Sequence, residues 1–236
     1  MEIKFITFGS DNKYTDAGNR LNQQAKNLNI FTETILYTIN YLKNDIYFWN
    51  AHNKFFTNSK KGCGYWLWKP YIIKKTMENM KDGDILLYLD CGCEIDYRKR
   101  QKLLEYIDIV KIDKIIGTLA NNCKEKDWNK MDLIEKLDMN KDIYLNTEQR
   151  QAGCVLYLVC HETRELVNEW YKIGCNYHYI DDSNSIIENF NTFKEHRHDQ
   201  SIFSLLTKKY NIFSCYKLNS AIDITRNKTG LSKISV

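Results

Sequence analysis

Asp90 and Glu94 close the run Leu86-Leu87-Tyr88-Leu89-Asp90-Cys91-Gly92-Cys93-Glu94. A short unbroken apolar stretch reads as a strand buried on both faces. A carboxylate directly after it emerges at the rim where open α/β sheets hold ligands. Carboxylate oxygens suit hard divalent cations that keep coordination sites for substrate phosphates. Asp90 is therefore the first candidate metal ligand, with Glu94 as a second ligand or as an organiser of the loop. The plain alternative is a strand-terminal Asp that caps the next element. Upstream, Gly62-Cys63-Gly64-Tyr65-Trp66-Leu67-Trp68-Lys69-Pro70 sets a lysine at the mouth of a helix, a ready anion site. Tyr65, Trp66 and Trp68 offer flat surfaces for a base or a sugar ring, unless the tryptophans fill core space.

Polar chemistry also gathers in Glu195-His196-Arg197-His198-Asp199-Gln200-Ser201. Asp199 could take a proton from an attacking hydroxyl, an effect worth roughly 10²–10⁴-fold. His196 or His198 could complete a metal shell; the bland alternative is an N-cap Asp with solvated neighbours. Gln149, Arg150 and Gln151 precede an apolar stretch and could hydrogen-bond a polyhydroxylated ligand. Near the end, Thr225-Arg226-Asn227-Lys228-Thr229-Gly230 is basic and lacks periodicity. Such a tail could fold over a diphosphate and neutralise a leaving group, or simply lie in solvent.

Elements to position these groups are readable from spacing. Strands are expected over residues 3–8, 31–38, 85–89, 114–120 and 152–160. Helical spacing appears at Leu21, Ala25 and Leu28, after Pro70, at Trp128, Met131, Ile134 and Leu137, and from Thr163 to Cys175. A last helix is expected with Asp199 as its cap. Alternating strands and helices imply an α/β fold with a largely parallel sheet. Neither G-x-G-x-x-G nor G-x-x-x-x-G-K-[ST] occurs, so both common glycine-rich phosphate cradles are missing.

The composition narrows the class. The 236 residues suit one domain, here 1–236. A net charge of +4, from 34 basic and 30 acidic residues, argues against a nucleic-acid binder acting through bulk charge. The eight cysteines lie partly in apolar runs and read as reduced thiols of a cytoplasmic protein. Cys91 and Cys93 lack the second close pair that a structural zinc needs. No signal peptide is expected at the start, and no apolar run is long enough to cross a bilayer.

Three blocks together resemble GT-A-type glycosyltransferases, in particular small bacterial and giant-virus proteins of that kind. They are Gly64-Tyr65-Trp66-Leu67-Trp68-Lys69-Pro70 leading into residues 84–94, then Gln151-Ala152-Gly153, then His198-Asp199-Gln200-Ser201 with the tail from Arg226 to Gly230. The resemblance implies a single GT-A-like domain with a Rossmann-like, mainly parallel sheet flanked by helices. It implies a nucleoside-diphosphate sugar donor, most often uridine-linked, with Mn2+ or Mg2+ on the diphosphate. The acceptor would be a hydroxyl of a glycan, lipid or protein, met in the cytoplasm or at the inner membrane face. Asp90 matches the first acid of the Asp-x-Asp metal motif. Gly92 stands in place of the second, so Glu94 would substitute or metal dependence would weaken.

By the same resemblance, Phe8, Gly9, Ser10, Tyr65, Lys69, Arg226 and Lys228 would contact the donor. Trp68, Gln151, His198 and Gln200 would orient sugar or acceptor. Asp199 would be the base in an inverting reaction and would hold a sugar hydroxyl in a retaining one. Two other readings stand beside this: a catalytically degenerate sugar- or nucleotide-binding protein on the same fold, and a haloacid-dehalogenase-type phosphotransferase. The latter needs a second carboxylate two residues after Asp90, which Gly92 removes.

Overall fold

Strands buried on both faces build the centre of the fold. The computed structural model describes residues 1–234. Strands β1 (Ile3–Gly9), β2 (Glu33–Thr38), β3 (Ile85–Leu89), β4 (Ile115–Lys124), β5 (Glu148–Leu158) and β6 (Phe213–Cys215) form a six-stranded sheet ordered β2-β1-β3-β5-β4-β6. β1 runs parallel to β2 and β3, and β6 parallel to β4. β5 is antiparallel to both of its neighbours. All the other strands therefore share one direction, which agrees with the expected mainly parallel sheet. β5 alone reverses.

Period-two alternation divides β3 between two cores. Leu86 and Tyr88 join Ile6, Phe8, Val155 and Tyr157 on one face; Ile85, Leu87 and Leu89 join Phe5, Cys154 and Leu156 on the other. The first face is covered by helices whose buried residues belong to the same cluster: α2 (Ile46–Asn58), α3 (Trp68–Glu78), α5 (His161–Gly174) and α6 (Asp199–Tyr210). On the second lie α1 (Asn12–Asn27) and α4 (Arg100–Asp113). Both faces being covered, every side chain of β3 is buried, and the Tyr88 hydroxyl is its one polar group. No helix among the described residues is long and apolar enough to cross a membrane.

Several local expectations need correction. α2, with Phe48, His52 and Phe56 buried at helical spacing, was not anticipated. Residues 128–137 form no single helix, since Glu125–Trp128 and Met131–Lys136 are separate turns. Pro70 is the third residue of α3, inside the first turn where its missing N–H leaves no bond unmade. Thr163 lies inside α5, where its hydroxyl accepts from the Cys160 N–H at 3.1 Å as half of a capping box. The cap position of α6 falls on His198, and Asp199 is the first helical residue.

After β6 the chain returns to pair Ile222–Asp223 with Glu94–Ile95 in a short antiparallel ladder. It then runs on as a strap bound to the loop that follows β3. The Asn227 N–H and the Thr225 hydroxyl donate to the Gly92 carbonyl at 2.9 and 3.1 Å. Glu94, fully buried, accepts from Asn227 Nδ2 at 2.9 Å, Ser232 Oγ at 2.6 Å and the Lys233 N–H at 3.0 Å. Arg20 of α1 lies 3.4 Å from Glu94 and donates to the carbonyls of Cys91, Cys93, Asn227 and Thr229. Burial would raise the Glu94 carboxyl, but these donors outweigh it and hold its pKa at about 2.

The folded pKa of Glu94 lies below the ~4.3 of an unfolded Glu. Its contribution to stability is therefore full above that pH and fades as pH falls toward about 2. Glu94→Ala also strands Arg20 as a buried charge. In urea unfolding at pH 7 the variant should lose roughly 3–5 kcal/mol, and at pH 3 the loss should be smaller. An equal loss at both pH values would show that the Glu94 charge does not hold the strap.

Candidate active site

Three elements bring their ends together at the carboxyl edge of β3. β3 ends at Leu89 and releases Asp90; the first turn of α3 carries Lys69; α6 begins with Asp199. The Lys69 ammonium lies 2.8 Å from Asp199 Oδ2 and 3.3 Å from Asp90 Oδ1. Tyr88 donates its hydroxyl to the same Asp90 oxygen at 2.5 Å. The Lys69 side chain is 4% exposed and that of Asp199 6%, whereas that of Asp90 is 44% exposed. Asp90 is thus the carboxylate open to a ligand, and Asp199 is the interior counter-ion of the lysine.

The electrostatics follow from that arrangement. Burial alone would push Lys69 toward its neutral form. Asp199 and then Asp90 outweigh it and hold the ammonium above the usual lysine range. Burial lifts the Asp199 carboxyl to about 6, with Lys69 pulling it down and Asp90 adding to the rise. Burial and the Asp90 charge raise the Tyr88 phenol well above its ordinary value, so it stays a donor.

Gly153, on the neighbouring strand β5, accepts from the Asp90 N–H at 2.8 Å through its carbonyl. A Cβ at that position would overlap Asp90 Oδ2. Only a residue without a side chain leaves the carboxylate where it is.

Between α2 and α3 the chain makes a left-handed turn. Gly62, Cys63, Gly64, Tyr65 and Trp66 have φ of 57°, 51°, 81°, 49° and 63°. The Tyr65 and Trp66 N–H groups donate to the carbonyls of Lys61 and Gly62 at 3.1 and 3.2 Å. The turn lays Trp66 on the His198 ring, with centroids 5.3 Å apart and planes at 28°, and sets Tyr65 5.1 Å from the same imidazole. His198 itself has φ 55°, and its Nδ1 lies 2.9 Å from the Ile180 carbonyl. Burial lowers the pKa of His198 and takes that of His196 to about 3. His196 Nδ1 accepts from the Lys130 N–H at 3.2 Å, so its other nitrogen donates to the Tyr179 carbonyl at 2.9 Å. That ring is a structural strut rather than a metal ligand.

The remaining expected residues divide into neighbours of this centre and core. Gly9 packs against the backbone of Thr15, and Ser10 Oγ lies 3.5 Å from Asp11, which caps α1. Gln200 Nε2 donates to Gln149 Oε1 at 2.9 Å, and Gln151 Nε2 to the Leu119 carbonyl at 3.1 Å. Arg226 and Lys228 are exposed on the strap, with Lys228 5.7 Å above the Tyr14 ring. Phe8 and Trp68 are corrected from ligand surfaces to packing. Both are buried, their rings stack at 3.9 Å, and Trp68 Nε1 donates inward to the Gly62 carbonyl.

The donor set does not fit a divalent cation held by protein groups. Glu94 is spent on the strap and faces no open space. Asp90 stands alone with an ammonium beside it, and among the described residues no three His, Cys, Asp or Glu side chains are grouped to hold an ion.

Tyr88, Arg20 and Asn227 were missed by sequence reasoning. Tyr88 was within reach, since it precedes Asp90 by two residues. Arg20 and Asn227 carry no spacing signal. Two clefts of about 310 and 350 Å³ lie elsewhere, lined mainly by α3 and α5 and by Asp45, Tyr71 and Tyr171. Neither includes Asp90, Lys69 or Asp199.

No protein-family model and no curated protein matches the sequence. Among solved structures, the chain is similar to mouse xyloside xylosyltransferase 1 in its apo form, at 10% identity and a TM-score of 0.49, covering 93% of this chain and 86% of that one. It is similar to the galactosyltransferase LgtC in complex with donor and acceptor sugar analogs, at 13% identity and a TM-score of 0.48, covering 92% and 74%. It is also similar to a glycosyltransferase involved in the glycosylation of the major capsid of PBCV-1, at 8% identity and a TM-score of 0.44. There the match covers 73% of this chain and 66% of that one.

Carboxyl-labelled ¹³C NMR should find Asp199 titrating near pH 6. Asp90→Asn removes a neighbouring negative charge and should lower that midpoint. An Asp199 midpoint in the ordinary carboxylate range, or one unmoved by Asp90→Asn, would break the electrostatic picture.

Proposed function

We propose that this chain is a glycosyltransferase that moves a sugar from a nucleoside-diphosphate sugar, uridine-linked, to a hydroxyl of a glycan, lipid or protein acceptor. The observation that carries this reading is the Lys69 ammonium, buried between Asp199 and Asp90 at the carboxyl edge of a mainly parallel sheet. It sets a fixed positive charge behind one solvent-facing carboxylate, at the place where such sheets receive ligands. The blocks that resemble GT-A-type enzymes are those that meet there: residues 64–70 and 84–94, Gln151-Ala152-Gly153 and His198-Asp199-Gln200-Ser201.

In the reaction, the acceptor oxygen bonds to the anomeric carbon while the bond from that carbon to the diphosphate oxygen breaks. The electron pair leaves with the diphosphate, and the acceptor proton passes to a base. Asp90 is the accessible carboxylate and takes that proton. Asp199, turned inward against Lys69, holds the lysine in place beside Asp90. This reading moves the role of base from Asp199 to Asp90, because Asp199 is buried with its Oδ2 2.8 Å from the ammonium. Gly9, Ser10 and Tyr65 line the nucleotide side. Trp66, His198, Gln151 and Gln200 present rings and amides to the sugar and acceptor. Preorganised charge of this kind is worth roughly 10²–10³-fold in rate.

A panel of nucleoside-diphosphate sugars with simple glycoside acceptors tests this by the nucleotide released. At least one donor should be turned over. Asp90→Asn should lower that turnover by roughly 10²-fold with an unchanged circular dichroism spectrum. Gly153→Ala, by displacing the Asp90 carboxylate, should lower it by a similar factor. If no donor is turned over and none raises the melting temperature, the reading is wrong.

A further inference from the structure

We propose that the donor's diphosphate is held here by side-chain cations, Arg226 and Lys228 of the C-terminal strap that crosses the loop after β3, instead of by a divalent metal; this rests on the nucleotide-sugar reading. The first support is the donor set. Asp90 is the exposed carboxylate of the Lys69 centre, and its Oδ1 already meets the Tyr88 hydroxyl and the Lys69 ammonium. A divalent ion joining it would face that ammonium at close range. At 5 Å, each pair of unit charges repels by about 3 kcal/mol at an effective dielectric constant near 20.

The second support is what occupies the place of a second acid. A Cβ on Gly92 would lie 3.2 Å from Arg226 Cα, so the strap backbone crosses where a side chain at position 92 would project. The contact is fixed by the Asn227 N–H and Thr225 hydroxyl on the Gly92 carbonyl, and by Arg20 on the carbonyls of Cys91 and Asn227. Gly92 is two residues from Asp90, within about 7.6 Å between Cα atoms. Arg226 holds φ 51°, a left-handed conformation that a bulky residue rarely adopts. Its side chain is exposed and makes no ion pair with any described residue. Lys228 follows over Tyr14, in the first turn of the helix after Gly9 and Ser10.

The third support is the charge sum. With one ammonium and two carboxylates, the Lys69–Asp90–Asp199 centre is net negative when all are ionised. A diphosphate diester brings about two further negative charges at neutral pH. Positive charge must come from elsewhere, and the strap that crosses the loop after Asp90 carries two exposed cations.

Calorimetric titration of the full chain with UDP and with inorganic pyrophosphate, in EDTA and then in MnCl2, tests the proposal. Both probes should bind in EDTA, and Mn2+ should change the Kd less than about threefold. The exposed double change Arg226→Ala with Lys228→Ala should weaken UDP binding in EDTA by roughly tenfold or more, as the loss of two charge-assisted contacts implies. Binding that appears only with Mn2+ overturns the proposal and leaves the nucleotide-sugar reading standing. Binding in EDTA that the double variant leaves unchanged overturns the role of the strap. If UDP binds under neither condition, the proposal and the reading beneath it fall together.

Discussion

A lysine ammonium held out of water between two carboxylates is the interaction that ties the end of β3 to the starts of α3 and α6. Removing an ammonium from water costs several kcal/mol. Lys69 offsets that with Asp199 at 2.8 Å and Asp90 at 3.3 Å, each contact worth on the order of 5 kcal/mol at an effective dielectric constant near 20. Repulsion between the two acids takes part of the gain back, and the rise of Asp199 to about 6 registers it together with burial. The three groups come from the start of α3, the end of β3 and the start of α6. α3 and β3 follow one another in the chain but α6 lies far downstream, so the charge cluster forms only when the sheet and both helices are in place. Its asymmetry gives it direction, for one acid is sealed inside and the other is exposed.

The left-handed turn before α3 serves the same centre. Cys63, Tyr65 and Trp66 adopt a conformation that disfavours side chains, at roughly 1–2 kcal/mol each. The surroundings offset this with contacts a regular helix start would not give. Trp68 Nε1 ties back to the Gly62 carbonyl, Trp68 stacks on Phe8, Tyr65 packs on Phe55, and Trp66 covers His198. Lys69 follows directly, its ammonium 5.6 Å from the centre of the Tyr88 ring. Strain of this kind persists where the surroundings over-determine a geometry, and such places are often functional. Here one turn orients the aromatic wall and the buried cation together.

Much of this was legible in the sequence, and what was not has a common cause. An apolar run ending in Asp90, a lysine before the proline of the next helix, and strands alternating with helices are local signals. The structure places each where local reasoning does. The reversal of β5 was hidden because a central strand buried on both faces reads the same in either direction: Val155, Leu156 and Tyr157 are fully buried whichever way the ladder runs. Helix α2 was overlooked although Phe48, His52 and Phe56 carried its period. Trp68 looked like a ligand surface because aromatic rings are ambiguous until their faces are seen covered.

Of the two readings open for Glu94, metal ligand and organiser of the loop, its contacts favour the second. Four residues after Asp90 in a loop, it has the spacing of a second metal ligand, yet its oxygens are taken by Asn227, Ser232, Lys233 and Arg20. Those partners lie more than 70 residues away in the chain, on either side, so no local pattern announces them. Once Glu94 anchors the strap, the strap must pass over the preceding loop, and a side chain at position 92 would stand in its way. The absent second acid and the inward-turned glutamate are thus one choice expressed at two positions. Here the loop after β3 carries, in place of a second open carboxylate, a strap that bears exposed arginine and lysine. The count of acids near a strand end is therefore a poor guide to metal ligation until the partners of each acid are known.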